Sequence, residues 1–368
     1  MSKSKFLSCV FCIIALIVGF VAGFSAYAVA NSPQSDKLFR VASGDLSVHF
    51  LELGNKYAGD CIYVKANETD ILIDAGSRQG SITTIKNYID NYCTDNTLEY
   101  VIATHAHQDH IAAFSSTSTR NGIFAEYICE NIIDFGTATK YERNGAEKTD
   151  TYSKYIAERN NEISSGANHI AVSNYNEPDF QKEFDLGSGI TLTILNNHYY
   201  YNKTSNENNY SVCVLLSNGA NNILLTGDLE DEGEEKLVEL NPNLPQCSLF
   251  KAAHHGSYTG SHDVLLNKIK PENVVFTCVA GATEYTKDNE NTFPSQAAIN
   301  RIANYTKNAY VTSLCIDYDT GKFQSMNGDI IFIFNKDGAR LTCTNNYTLL
   351  KDTAWFKANR TTPAAWAN

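Results

Sequence analysis

The sequence predicts an α/β fold of the α+β kind, on three observations. Short apolar or alternating runs recur along the chain, runs with apolar residues at helical spacing lie between them, and three strand-like runs end abruptly in histidine or aspartate. Those endings are Tyr100-Val101-Ile102-Ala103 before Thr104-His105-Ala106-His107-Gln108-Asp109-His110, Asn222-Ile223-Leu224-Leu225 before Thr226-Gly227-Asp228, and Leu249-Phe250-Lys251-Ala252-Ala253 before His254-His255-Gly256-Ser257. Strand exits are where a scaffold presents function, and a fold that gathers the three exits makes one metal centre. The first exit is the strongest signal, with four candidate ligands in six residues and three of the chain's nine histidines. Imidazole with carboxylate suits zinc and related ions at a hydrolytic site. The plain alternative is a polar turn with chance histidines.

Taken in order, residues 1–30 are predicted to lie outside the fold. Lys3 and Lys5 precede an uncharged run over 6–29, and Ala28-Val29-Ala30 offers small residues to a signal peptidase. The run is close to the roughly 20 apolar residues that span a bilayer, so it reads as a signal peptide or as an N-terminal membrane anchor. Both readings put the remainder outside the cytoplasm, extracellular or anchored to the outer face of the cell membrane.

The mature chain opens as a β-meander over 46–51, 61–64 and 71–74, where short apolar runs are separated by polar turn residues. Ile82, Ile85, Tyr88 and Ile89 then recur at helical spacing. The 100–103 strand and its ligand loop lead into a helix from Ile111. Residues 115–185 form a polar insertion with a helix over 150–163, read either as a cap on one edge of the site or as an ordinary surface insertion. Strands follow over 190–195, 210–217 and 222–225, then a helix over 230–240. Beyond the third ligand run come a helix over 296–305, a strand over 310–316, and two closing strands over 328–335 and 340–343 about an Asp337-Gly338 turn. Trp355-Phe356 reads as an aromatic staple and Trp366 as part of a frayed tail.

The formal net charge is −12, and without Lys3 and Lys5 it becomes −14, since no acid precedes Asp36. Such a balance repels a polyanion and disfavours extended DNA or RNA as the ligand. Eight cysteines follow residue 30, scattered and without a CxxC pair, so they do not form a zinc ribbon. Cys213 and Cys278 sit inside apolar runs, which favours buried thiols; an even count in an exported chain keeps disulfides open.

His105-x-His107-x-Asp109-His110, Leu224-Leu225-Thr226-Gly227-Asp228 and His254-His255-Gly256-Ser257, in this order and spacing, resemble the metallo-β-lactamase superfamily. More narrowly they resemble the metallohydrolase domain of competence proteins and the phosphorylcholine esterases of bacterial cell surfaces. Gly59-Asp60-Cys61 before Ile71-Leu72-Ile73-Asp74-Ala75-Gly76, and Asn208-Asn209-Tyr210-Ser211-Val212 before the Gly-Asp strand, support the likeness, which covers about residues 46–302. It implies a four-layer αββα sandwich over 31–328, with 329–368 as a small C-terminal β extension and tail. It also implies two divalent ions, zinc or alternatively manganese. Asp109, His110, Asp228 and one of His254 and His255 hold one ion, and His105 and His107 contribute to the other. Asp228 bridges them through its two oxygens. His255 is the preferred ligand, with His254 catalytic beside Asp109 as the group that polarises substrate.

Two departures qualify the likeness. Asn208 and Asn209 stand where superfamily members with a full dinuclear centre usually supply a third histidine, which weakens the second ion; His198 and Asn209 are the additional candidates. Phe293 stands where the subgroup often carries a histidine before the proline, so any substrate contact by that histidine is absent. The implied reaction is attack of metal-bound hydroxide on phosphorus or carbonyl, with Ser257 either donating to the oxyanion or capping a turn. The implied function is an exported metal-dependent phosphodiesterase acting on a small-molecule or cell-envelope substrate. The alternatives are a competence-type nuclease assisting DNA uptake and a non-catalytic surface binding protein.

Overall fold

The computed structural model describes residues 42, 44–135, 150–219 and 221–367. The predicted leader lies outside them, and among them no helix is long and apolar enough to cross a membrane. The first half of the chain lays down β1 (Leu46–Phe50), β2 (Ile62–Ala66), β3 (Thr69–Ile73), β4 (Thr97–Ala103), β5 (Ile128–Asp134) and β6 (Asn168–Ala171). The second lays down β7 (Glu183–Asp185), β8 (Thr191–Ile194), β9 (Val214–Ser217), β10 (Asn222–Leu225), β11 (Leu249–Lys251), β12 (Val274–Ala280), β13 (Ala309–Asp317) and β14 (Lys322–Ser325), then β15 (Ile330–Asn335) and β16 (Gly338–Cys343). Two eight-stranded sheets result, ordered β16-β15-β1-β2-β3-β4-β5-β6 and β14-β13-β12-β11-β10-β9-β8-β7.

Strand periodicity assigns each side chain to a layer. Ile71 and Ile73 of β3 pack between the sheets with Ile223 and Leu225 of β10. Leu72, one residue out of phase, packs on the outer face of the first sheet. There it meets Ile82, Ile85 and Ile89 of α1 (Ile82–Ile89). Further helices are α2 (Gln108–Ile111), α3 (Ile123–Glu126), α4 (Asp150–Ser165), α5 (Asp231–Leu240), α6 (Asp263–Ile269), α7 (Gln296–Ala303) and α8 (Ala354–Asn359). Leu224, Phe250 and Phe276 of the second sheet pack outward against Leu237 of α5, Leu265 of α6 and Ile299 of α7. The layers are therefore helix, sheet, sheet, helix, the sandwich that the sequence led us to expect.

Three readings change in the fold. β15 pairs with β1 along its whole length, from Leu46↔Phe334 to Phe50↔Ile330, so the closing strands complete the first sheet. The described part of the insertion adds β5 and β6 to that sheet, and α4 seats Tyr152 and Tyr155 in its outer core, so it builds an edge of the sheet. Trp366 is only 4% exposed and its indole N–H donates to the Thr306 carbonyl, which ties the C-terminus down and overturns the frayed tail. The eight cysteines among the described residues are free thiols, seven of them buried.

Candidate metal centre

The parallel pairs β3–β4 and β10–β11 point their carboxyl ends the same way within each sheet, and the three ligand runs leave from those ends. After β4 the chain turns straight into α2, which begins at Gln108 with His107 at its N-cap, three residues earlier than the sequence predicted. Asp109 and His110 are thus fixed by a helical turn. Gly76 packs against that turn so closely that a Cβ there would fall 1.5 Å from the Asp109 carbonyl oxygen. After β11, His254 (φ 48°), His255 (φ 55°) and Gly256 (φ 86°) are all left-handed. Two consecutive non-glycine residues there cost about 1–2 kcal/mol each, strain that presents both imidazoles at one point of the chain.

Asp109, His110, Asp228 and His255 each bring one donor atom to within 4.8 Å of the others. His110 Nε2 lies 3.1 Å and His255 Nε2 3.3 Å from Asp228 Oδ2, and His255 Nε2 lies 3.5 Å from Asp109 Oδ2. Both histidines are held from behind. His110 Nδ1 is 2.7 Å from Asp74 Oδ2 and His255 Nδ1 is 3.0 Å from the Thr277 carbonyl. Both partners are acceptors, so each Nδ1 carries the proton and each Nε2 turns to the centre, the usual outer support of a metal-binding imidazole. Both Nε2 atoms are buried and without a hydrogen-bond partner. Two such nitrogens facing two carboxylates fit a divalent cation.

The electrostatics agree. Burial alone would lower His110, but Asp228 and Asp74 outweigh it and raise the imidazole well above its usual value. His255 is raised against burial in the same way, by Asp228 and Asp60. Burial would raise Asp228, yet His110, His255 and Lys251 hold it far below the carboxylate range. The cluster therefore stabilises positive charge, and cation binding competes there with protons.

The other expected residues divide. His105 and His107 sit at the rim of the cluster, His105 Nε2 3.0 Å from His107 Nδ1 and the His105 ring 4.1 Å from that of His110. Burial lowers both, which keeps them neutral and able to ligate. His254 directs Nδ1 to Glu230 Oε1 at 3.0 Å, leaving Nε2 3.9 Å from Asp228 Oδ2. His198 instead packs against Tyr199 and Tyr201 and meets Asn202, all on its own turn. Asn209 Oδ1 accepts from the Glu230 N–H just before α5, so this side chain serves a helix start. Ser257 Oγ closes a turn with the Thr259 N–H and hydroxyl. The two oxygens of Asp228, expected to bridge two ions, face different groups. Oδ1 faces Lys251 Nζ at 3.3 Å, while Oδ2 faces His110 Nε2 and His255 Nε2.

Four residues given no role from the sequence belong here. Lys251, fully buried, also reaches Asp60 Oδ2 at 2.5 Å; a lysine inside an apolar strand was the available signal. Asp74 supports His110, and Glu230 supports His254 and is drawn down to about 2, burial being outweighed by that imidazole. Tyr285 donates its hydroxyl to Asp109 Oδ2 at 2.7 Å from a distant loop that nothing in the sequence marked. Phe293 packs between Tyr285 and the two histidines, edge-on to His254 and tilted to the others, with ring centroids 5.4 Å from Tyr285, 5.5 Å from His254 and 5.9 Å from His255.

The loop after the histidines is pinned by Glu234 of α5, which accepts the Ser261 and His262 N–H groups at 2.7 Å each. Burial raises this carboxyl from 4.5 to about 8. Its stabilising contribution is full below the unfolded value and is lost as pH rises through the folded one. Glu234→Gln should flatten the loss of stability between about pH 5 and about pH 8, read as urea midpoints of the variant and the wild type.

Residues 54–122 match the metallo-beta-lactamase superfamily. ComE operon protein 3 of Bacillus subtilis is 29% identical over 73 residues, 20% of this chain and 9% of that one. Competence protein ComA of Neisseria gonorrhoeae is 32% identical over 100 residues, 27% of this chain and 14% of that one. The similar segments thus span a small part of those longer proteins. Among solved structures, the metallo-beta-lactamase fold protein YhfI of Bacillus subtilis aligns with 78% of this chain and 99% of its own, at 11% identity and a TM-score of 0.42. The matched segment carries the whole first ligand cluster, and the two-sheet sandwich brings Asp228 and His255 to it, so the chain is similar to the metallo-beta-lactamase superfamily in its matched segment and in its sandwich architecture.

Proposed function

We propose that this chain is an exported, metal-dependent phosphodiesterase acting on a small-molecule or cell-envelope phosphodiester, with zinc as the metal and manganese as the alternative. The observation that carries the reading is the cluster of Asp109, His110, Asp228 and His255, in which two buried imidazole nitrogens without hydrogen-bond partners face carboxylates. Those four residues would hold one ion, and His105 and His107 a second, weaker one. A divalent cation in such a set supplies Lewis acidity and makes water acidic enough to yield a nucleophile near neutral pH.

The chain's own side chains do the rest. Tyr285 fixes the Asp109 carboxylate, and Asp74 and Thr277 fix the two supporting imidazoles. His254, its Nδ1 proton held by Glu230, presents Nε2 toward the centre and is positioned to polarise a phosphoryl oxygen. Phe293 and Tyr285 form an aromatic wall beside it, which supports selection of the group attached to the phosphate. The net charge of −12 weighs against extended nucleic acid, so the competence-type nuclease stands second. Residues 6–29 would supply export or membrane attachment.

The test uses the purified chain, analysed for metal and then offered a chromogenic phosphodiester, DNA and a lactam. The expected result is phosphodiester turnover that chelation abolishes, zinc or manganese restores and Asp109→Ala lacks. DNA cleavage without turnover of the small diester would replace this reading with the nuclease.

A further inference from the structure

Lys251 is the one lysine of the chain wholly buried among the described residues, and nothing in the chemistry proposed above requires it. It follows Leu249 and Phe250 on β11, so alternation turns it to the same side as Leu249, between the sheets, at the end of the strand where the ligands gather. Its ammonium has three neighbours: Asp60 Oδ2 at 2.5 Å, the Gly227 carbonyl at 3.0 Å and Asp228 Oδ1 at 3.3 Å. Asp60 in turn accepts from the Thr277 hydroxyl at 2.5 Å and lies 3.3 Å from His255 Nδ1. Lys251 therefore touches one ligand directly and reaches a second through Asp60.

We propose that Lys251 is a positioning residue that restricts the centre to one tightly held cation. The inference rests on the reading of Asp109, His110, Asp228 and His255 as a cation site, and does not depend on the substrate. Two effects act together. By taking Oδ1, the ammonium leaves Asp228 a single oxygen to share among incoming cations. It is also a fixed positive charge inside a low-dielectric site, where repulsion of a second ion is screened little. The side-chain amides at 208 and 209 act in the same direction. Asn209 is committed to the start of α5 and the Asn208 amide nitrogen donates to Glu230, so neither amide is turned to the position beside His105 and His107, where Glu207 of the same turn accepts the Ala106 N–H at 3.2 Å.

The experiment measures metal content and affinity in the full chain, by elemental analysis after dialysis against buffered free zinc and by competition with a chromogenic chelator. Wild type should retain about one equivalent of zinc tightly, and Lys251→Met should take up about two, because Asp228 Oδ1 is freed and the buried carboxylates lose their compensating charge. Asp60 is left unpaired in that variant. The double change Lys251→Met with Asp60→Asn removes that carboxylate as well, and should still bind more than one equivalent. Circular dichroism of each metal-free variant separates loss of fold from change of stoichiometry. Two equally tight equivalents in the wild type, or stoichiometry unchanged in whichever variant folds, would overturn the proposal. The readout is metal rather than turnover, so failure of the phosphodiesterase reading leaves it standing.

Discussion

Asp228→Asn should reduce turnover of a chromogenic phosphodiester by about 10³-fold while leaving the fold intact. The substitution preserves shape and one carbonyl oxygen but removes the charge whose Oδ2 lies within 3.3 Å of both His110 Nε2 and His255 Nε2. Cation-based stabilisation of a developing charge amounts to several kcal/mol, and at about 1.36 kcal/mol per tenfold a loss of about 4 kcal/mol gives that factor. The fold should survive because Lys251 keeps its closer partner, Asp60, at 2.5 Å. Circular dichroism and steady-state kinetics on the same preparation test both halves. Activity within about tenfold of wild type would mean that Asp228 does not sit at the reacting centre.

The largest stability effect is expected far from the site, at Arg159→Met. Arg159 of α4 places Nη1 2.7 Å from Asp134 Oδ2 at the end of β5, and Asp134 is completely buried. Tyr155 donates to the same oxygen at 3.1 Å and His169 Nε2 lies 2.9 Å from the other. Burial pushes Asp134 up, but the His169 hydrogen bond and the Arg159 charge outweigh it and hold the carboxyl below its usual range. Breaking a buried pair from one side costs about 3–5 kcal/mol; the remaining Tyr155 and His169 contacts put this case near 3 kcal/mol. In urea that is a midpoint lower by about 1 M. Because the folded pKa of Asp134 is depressed, its contribution is present above the unfolded value and fades as pH falls through the folded one. The deficit of the variant should therefore be larger at neutral pH than in acid. A midpoint within about 0.2 M of wild type would show that α4 is not anchored through this pair.

The strand and helix order was legible because the apolar period changes cleanly between elements. Ile71 to Ile73 reads as a strand, and Ile82, Ile85 and Ile89 read as one helix face. Boundaries were less secure. The 210–217 run is a short helical turn followed by β9, since Asn206 caps Glu207–Tyr210 through its own side chain. The closing strands were found, but not their partner, because pairing β15 with β1 joins residues nearly 300 apart in sequence and leaves no local trace.

At the site, residue types were enough to point to metal chemistry, because three strand exits rich in imidazole and carboxylate exceed what packing requires. Tertiary structure alone decided how those groups are used. Left-handed backbone at 254 and 255 separates two adjacent histidines, sending His255 into the cluster and His254 to Glu230. A buried lysine takes one oxygen of Asp228, and a tyrosine 176 residues away holds Asp109. Each of these depends on the direction of a side chain after the two sheets have packed, and direction, unlike residue type, is set by the whole fold.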